Sequence, residues 1–426
     1  MKPGDRVKIT TDEEINGILI KYDELVTLKL DSGYNLVIKK DKIKNIKTVE
    51  KGKENKIKKE KVKENKKLPT ISILHTGGTI ASKVDYSTGA VSSRFEPEEL
   101  ISMFPELNEI ANLNSRLIGN MWSQDMRFSD YNKIAKEIEK EVKKNVDGII
   151  VTQGTDTLHY TSAALAFILE NISVPVIVVG SQRSSDRGSS DAGLNLINAA
   201  YFIANSDFKD IGVCMHNSSS DDYCAILPAT NIRKMHTSRR DAFKAINDEQ
   251  YALVNFKEEK IENFNQNYNK NKRKLSLKLI NEKIKVGILR QCTNMYAEDF
   301  LYFKNHDGLV IESTGLGNLP VSGEGESNKI LKALESMKNI IVLSPQTIFG
   351  RLNLNVYENA RKQQEIGILG DNNSMTTETT FIKLAWLFSN HKKETRNLIL
   401  KNLRGELKER TEFEEEFVWL TILNLD

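Results

Sequence analysis

The chain has 426 residues, of which 39% are hydrophobic and 28% charged, and a formal net charge of +3. Such proportions describe an ordinary globular protein and exclude a disordered or fibrous chain. At roughly 100–200 residues per domain the length implies two or three domains, with a core large enough to need no disulfides.

The three cysteines, Cys214, Cys224 and Cys292, are odd in number and widely spaced. That argues against a disulfide framework and against a zinc site, and fits a reducing compartment. Met1-Lys2-Pro3-Gly4 leads into no apolar signal region, and no apolar run approaches the ~18 residues of a membrane span, so a cytoplasmic location is expected. Charge is uneven. Lys39–Lys67 holds fourteen lysines against five carboxylates, a local +9, so the rest of the chain carries −6.

Residues 1–49 read as a small all-β domain. Val7–Thr10, Gly17–Ile20, Leu25–Leu30 and Tyr34–Ile38 are short apolar or alternating runs separated by turns such as Asp31-Ser32-Gly33. Closure of so many short strands removes exposed edges, and an SH3-like barrel is expected. Residues 50–68 are almost entirely Lys, Glu and Asn and read as a charged linker; a short helix of Glu–Lys pairs is the competing reading.

After Pro69 the pattern becomes α/β. Ile71–Leu74 is a short apolar strand that runs into Thr76-Gly77-Gly78-Thr79. Asp130–Val142 has helical periodicity, Gly148–Val151 is a buried strand, and a helix is expected from Thr157 through Glu170. Val174–Gly180 is another strand and Asp191–Ile203 another helix. Residues 256–283, rich in Asn and Lys, read as a polar surface connector. A second strand set follows at Val286–Leu289, Gly308–Ile311 and Ile340–Leu343, and the tail from Thr376 reads as helix. Strands alternating with helices predict a two-lobed body with mostly parallel sheets, whose ligands bind at the carboxyl ends of the strands.

Two loops at such ends carry chemistry. In Thr76-Gly77-Gly78-Thr79 the glycines allow a tight turn and close approach to a ligand, and Thr79 presents a hydroxyl. A simple capped turn is the bland reading; phosphate-loop spacings are absent. Gln153-Gly154-Thr155-Asp156-Thr157 sets a hydroxyl beside a carboxylate where a helix opens, a position at which a plain N-cap cluster is also expected. Lys234 is by default a solvated lysine. Desolvated near an acid, it can instead help a hydroxyl lose its proton.

Taken together, Thr76–Ile80, Gly154–Thr157, Ser123-Gln124-Asp125-Met126 and Lys234–Phe243 resemble the ordered motifs of the bacterial-type asparaginase and glutaminase family. The resemblance runs from about Pro69 to the C-terminus. It implies an asparaginase-like N-terminal catalytic domain over 69–255 and an asparaginase-like C-terminal domain with a helical tail over 284–426. An N-terminal barrel and charged linker ahead of such a body, with Ala81–Val91 and Lys234–Phe243, is similar to the D subunits of archaeal glutamyl-tRNA(Gln) amidotransferases. That resemblance implies release of ammonia from glutamine or asparagine, which a partner E subunit uses with ATP and magnesium to amidate Glu-tRNA(Gln). It implies no cofactor bound by this chain.

By the same resemblance Thr79 attacks the amide carbonyl and forms an acyl-enzyme, with Tyr86 close by. Thr155, Asp156 and Lys234 handle the proton, and Ser123, Gln124 and Asp156 hold the substrate's α-carboxylate and α-amino groups. The order in which the two threonines act stays open. Asn318, in Gly315-Leu316-Gly317-Asn318, matches a segment that reaches a neighbouring subunit's active site, so a homodimer is expected. His, rather than Asn, is usual there in D subunits. Gln153 and Gly188 also depart from the common residues, His and Pro.

His75, His159, His216 and His236 lack metal-ligand spacing, and no metal site is expected. The Lys39–Lys67 segment suits either phosphate contact with tRNA or a solvated linker. A free cytosolic asparaginase and a non-catalytic RNA- or protein-binding scaffold are the rival functions.

Overall fold

Five antiparallel strands open the chain: β1 (Arg6–Thr10), β2 (Glu14–Tyr22), β3 (Leu25–Lys29), β4 (Asn35–Lys39) and β5 (Asn45–Glu50). Their order in the sheet is β4-β3-β2-β1-β5. Alternation puts Val7, Ile9, Leu19, Val26, Leu28 and Ile38 on one face, where they form a small core. Gly17 lets β2 pass close to β3, since a Cβ there would stand 2.7 Å from the Lys29 carbonyl oxygen.

The protein is known here from a computed structural model. Residues 2–30, 35–51, 65–77, 82–84, 91–93, 104–183, 189–271 and 274–411 are described. They form two units, one of residues 1–245 with 249–282 and one of 246–248 with 283–426. Most of the charged linker, together with Gly78, Thr79, Tyr86 and Gly188, lies outside the described residues.

The first unit's large sheet has eight strands. Its centre is parallel: β6 (Thr70–His75) pairs with β9 (Asn112–Leu117) and β10 (Gly148–Thr152), β10 with β12 (Val176–Val179), and β12 with β13 (Ile211–His216). Three antiparallel strands extend it: β14 (Cys224–Pro228), β17 (Ala252–Asn255) and β18 (Lys260–Asn263). The sheet, expected to be mostly parallel, is parallel in four of its seven pairings and antiparallel in the three at one edge. Short strands β7 (Ser82–Val84) and β8 (Val91–Ser93) pair with each other, as do β11 (Leu169–Glu170) with β19 (Ser276–Leu277) and β15 (Ile232–Lys234) with β16 (Phe243–Ala245).

Helix α1 (Phe128–Lys143) forms because Tyr131, Ile134, Ala135 and Ile138 recur on one face and are buried. Asp130 accepts a hydrogen bond from the Arg127 amide at its start, and Asn145 in the left-handed region lies just past its end. Helix α2 (Leu158–Ile168) is apolar nearly all round and lies inside the unit. The expected helix through Glu170 stops short, because Leu169–Glu170 pairs as a strand and Asn171 turns left-handed. Helix α3 (Ala192–Asn205) packs Ala192, Leu196, Ala199 and Phe202 into the same core as β6, β10 and β12.

Residues 256–283 are more than the expected surface excursion. Ile261 packs on the core, and Tyr268 stacks against Phe208 with ring centroids 4.8 Å apart. A few apolar anchors within a polar composition hold this stretch down.

In the second unit, β20 (Val286–Arg290), β21 (Gly308–Ser313) and β22 (Ile340–Pro345) make a parallel sheet. Its core joins Leu309, Ile311, Leu343, Leu352 and Leu354 to Ile330 and Leu334 of helix α4 (Glu326–Ser336). Helix α5 (Thr377–Asn390) begins where Thr376 accepts a hydrogen bond from the Thr379 amide. Among the described residues no helix is long and apolar enough to cross a membrane.

Candidate active site

The carboxyl ends of neighbouring strands β9, β6, β10 and β12 each run into a loop that helps to build one site. Strand order brings these loops side by side, with β6 inserted between β9 and β10. The Thr76 amide and hydroxyl both donate to the Thr152 carbonyl, which ties the end of β6 to that of β10. Gly77 follows with φ +106°, and a Cβ there would lie 3.0 Å from Met121 backbone atoms. Only glycine makes this turn without strain.

One strand over, Thr155 is buried and Asp156 projects into solvent. Lys234, at the end of β15, donates from Nζ to Thr155 Oγ1 at 2.9 Å and to Asp156 Oδ1 at 2.8 Å. The lysine side chain is 11% exposed and the aspartate 65%. A nearly desolvated ammonium therefore touches a hydroxyl and is held by a carboxylate that keeps its water. At this distance and reduced dielectric the ammonium stabilises negative charge developing on Thr155 Oγ1 by several kcal/mol, about 6 kcal/mol per unit charge at an effective dielectric near 20.

Gln182, in the loop after β12, was not foreseen. Thr155 Oγ1 donates to Gln182 Oε1 at 3.4 Å, leaving its lone pairs toward Lys234. The Gln182 loop is fixed by Asp191, whose carboxylate accepts from the Gln182 and Arg183 amides at 3.0 Å each. The sequence signal was there: Gly180-Ser181-Gln182 follows a buried strand as the two threonine loops do. Gly180 is a spacing device, because a Cβ on it would stand 2.7 Å from Thr155 Cγ2 and 2.9 Å from Leu158 Cδ1. Gly180→Ala is expected to push Thr155 off Lys234 and slow turnover about 100-fold, the usual cost of a displacement near 1 Å. Steady-state rates with a melting curve as control check this.

Ser123 is buried in a short helical turn, Ser123–Asp125, and its carbonyl accepts from Thr157 Oγ1 at 2.5 Å. The structure thus brings Ser123 and the exposed Gln124 beside the Thr155–Asp156 loop, together with Lys234. Thr79 and Tyr86 are outside the described residues. Asn318 belongs to the second unit, in a turn where its amide donates to the Thr314 carbonyl and its own carbonyl accepts from Thr314 Oγ1. Gln153, beneath the site, is fully buried, and neither polar atom of its side chain has a partner among the described residues.

His75 braces the platform. Its Nδ1 meets Thr152 Oγ1 at 2.8 Å and its Nε2 meets Ser115 Oγ at 2.7 Å, linking β6 to β10 and β9 just below the loops. Burial lowers its pKa to about 4. The unfolded ring takes up a proton near 6.5, so the stability from a neutral His75 is full above that value and is lost as pH falls towards 4. Over that window the loss is about 3 kcal/mol. His75→Gln is expected to flatten the fall in melting temperature between pH 7 and pH 4.5.

Among the described residues no group of three or more His, Cys, Asp or Glu side chains is placed to hold a metal ion. What the site offers is a desolvated lysine, a buried hydroxyl and an exposed carboxylate, a set suited to hydroxyl activation and proton transfer.

Family models agree on three segments. Residues 1–49 match "GatD N-terminal domain", 70–269 match "Asparaginase, N-terminal", and 285–398 match "Glutaminase/Asparaginase C-terminal domain". The chain is 41% identical over 423 residues to the D subunit of the Pyrococcus furiosus glutamyl-tRNA(Gln) amidotransferase, covering 95% of this chain and 94% of that one. It is 38% identical over 400 residues to the D subunit of the Methanococcus maripaludis enzyme, covering 92% and 94%. Among solved structures, the thermostable L-asparaginase of Thermococcus kodakarensis superposes with a TM-score of 0.71 at 26% identity, over 80% of this chain and all of that one. L-asparaginase I of Vibrio cholerae gives a TM-score of 0.70 at 25% identity, over 80% and 99%.

Proposed function

Because the chain belongs to the family of glutamyl-tRNA(Gln) amidotransferase D subunits, and so to the asparaginase-type amidohydrolases, we propose that it releases ammonia from glutamine or asparagine through a threonine nucleophile. Thr79 attacks the side-chain carbonyl, the tetrahedral intermediate expels ammonia, and water hydrolyses the acyl-enzyme. The Thr155–Asp156–Lys234 set receives the hydroxyl proton and returns it to the leaving nitrogen. Ser123, Gln124 and Asp156 grip the α-carboxylate and α-amino groups, with Tyr86 near the nucleophile. The observation that supports this most is that Lys234 reaches Thr155 and Asp156 at once.

The ammonia serves a partner E subunit, which uses ATP and magnesium to convert Glu-tRNA(Gln) to Gln-tRNA(Gln). This chain binds no cofactor of its own. It works in the cytoplasm as a homodimer within the complex, with Asn318 completing a neighbour's site. The D-subunit relatives match residues 1–49 as well as the body, which favours this assembly over a free asparaginase.

The test is ammonia release from glutamine and asparagine by the chain alone, then with the E subunit, Glu-tRNA(Gln) and ATP. Release that rises when partner and charged tRNA are added is the expected result. Robust release indifferent to both points to a free asparaginase, and none in any setting points to a scaffold.

A further inference from the structure

Lys234 stands at the base of a small hairpin. Its two strands, β15 and β16, are three residues each, with Lys234 opposite Phe243, and the Met235 amide donates to the Ala242 carbonyl. Residues 236–239 at its tip are exposed. A two-stranded hairpin this short is marginal in water and needs an outside tie.

Arg240 supplies one. Its guanidinium, only 15% exposed, donates to the Asp221 carboxylate and to the Ser219 carbonyl, both in the loop between β13 and β14. Lys244 adds a second tie, donating to the Asn217 carbonyl at 2.8 Å. Arg239 pairs with Asp241 inside the hairpin and anchors nothing outside it.

Asp221 is in turn held from within the fold. Its Oδ1 is 3.2 Å from Nε2 of fully buried His216, whose Nδ1 is 2.6 Å from Asn195 Oδ1. The Asn195 Nδ2 group donates to the Gly180 carbonyl at 3.0 Å and to Asp191 Oδ2 at 3.2 Å. That fixes which end of the Asn195 amide faces His216. Asp191 is the same carboxylate that clamps the Gln182 loop behind Thr155. Both sides of the Thr155–Lys234 contact therefore rest on one chain of polar groups: Gln182, Asp191, Asn195, His216, Asp221 and Arg240.

On the reading that this site hydrolyses amides, we infer that Arg240 is a positioning residue, which holds Lys234 against Thr155 through Asp221 and His216. Both His216 nitrogens face oxygen acceptors, an arrangement that favours the doubly protonated ring. Burial opposes that charge, but Cys224, Asp221 and Asp191 outweigh it and raise the His216 pKa. Arg240 joins the same carboxylate from outside. Asp221 thus sits between His216 and Arg240; burial opposes its charge, but these two partners outweigh it and lower its pKa. Charge-assisted contacts of this kind are the strong ones, and a network holds geometry better than any one of them.

The experiment uses the full-length chain with Arg240→Gln, Arg240→Lys, Asp221→Asn and the Arg240→Gln/Asp221→Asn double variant. Ammonia release is measured with L-asparagine and L-glutamine. Arg240→Gln is expected to lower kcat about 100-fold with KM unchanged within about twofold, since Lys234 acts on the reacting groups. Arg240→Lys, which keeps the contact to Asp221, should recover part of kcat. Asp221→Asn should reproduce the loss, and the double variant should be no worse than the worse single one.

Amide hydrogen exchange gives a readout independent of activity. In Arg240→Gln and Asp221→Asn, amides of residues 234–243 should exchange faster, while those of α3 keep their protection. Unchanged exchange in the hairpin overturns the inference, as does a wild-type kcat in Arg240→Gln or a loss confined to KM. A wild-type chain that hydrolyses neither amide even with the E subunit, Glu-tRNA(Gln) and ATP supplied overturns the functional reading instead, and the exchange result still decides whether Arg240 holds the hairpin.

Discussion

Lys234→Ala is expected to cut ammonia release by about 1,000-fold or more, within the ~10²–10⁴ range for a positioned proton-transfer group. The variant removes a cation that touches both Thr155 and Asp156. The fold should survive. Asp156 is well exposed, so its carboxylate finds water when its partner goes, and no buried charge is left unpaired. Rates with saturating asparagine and glutamine, alongside a melting curve, make the measurement. A rate within about tenfold of the parent, with the fold intact, would show that the lysine is not part of the chemistry.

The second large effect is that of Thr79→Ala, whose expected loss is on the order of 10⁴-fold or more, as befits removal of a nucleophile. Thr79→Ser should keep substantial activity, because the attacking hydroxyl remains. Intact-mass analysis after rapid quench is the sharper readout. An acyl adduct is expected on the parent chain and absent from Thr79→Ala. An adduct that persists in Thr79→Ala and vanishes in Thr155→Ala would reverse the roles of the two threonines, leaving Lys234 next to the nucleophile itself.

These two residues also mark how far the sequence could be read. Thr155 was legible because a glycine and a hydroxyl follow a buried strand in the sequence, and Thr79 was singled out on the same pattern after Ile71–Leu74. Turn chemistry and the two-residue period of strands are local properties. The same locality made α1 and α3 readable, since their apolar residues recur at helical spacing. The antiparallel strands β14, β17 and β18 were missed, because an apolar run carries no mark of direction or of sheet neighbour. Residues 256–283 were misjudged because composition averages over the few side chains, such as Ile261 and Tyr268, that anchor them.

Lys234 shows the remaining difference. Nothing near it in the chain separates it from a solvated lysine, and only its family resemblance singled it out. Its partner Asp156 lies 78 positions away, and the hairpin that carries it rests on a loop after β13. Asp191 and His216 carry no motif, Gln182 and Arg240 lie in segments whose pattern did not single them out, and the roles of all four follow from contacts across β12, α3 and β13.

By itself the sequence determined the small β domain and the α/β body, because each follows from residue type and spacing within a few positions. The tertiary structure alone decided which turns stand side by side, how a surface hairpin lends its lysine to a buried threonine, and what holds both in place. The order of strands in a sheet is set by burial summed over the whole unit, and no short window of residues contains that sum.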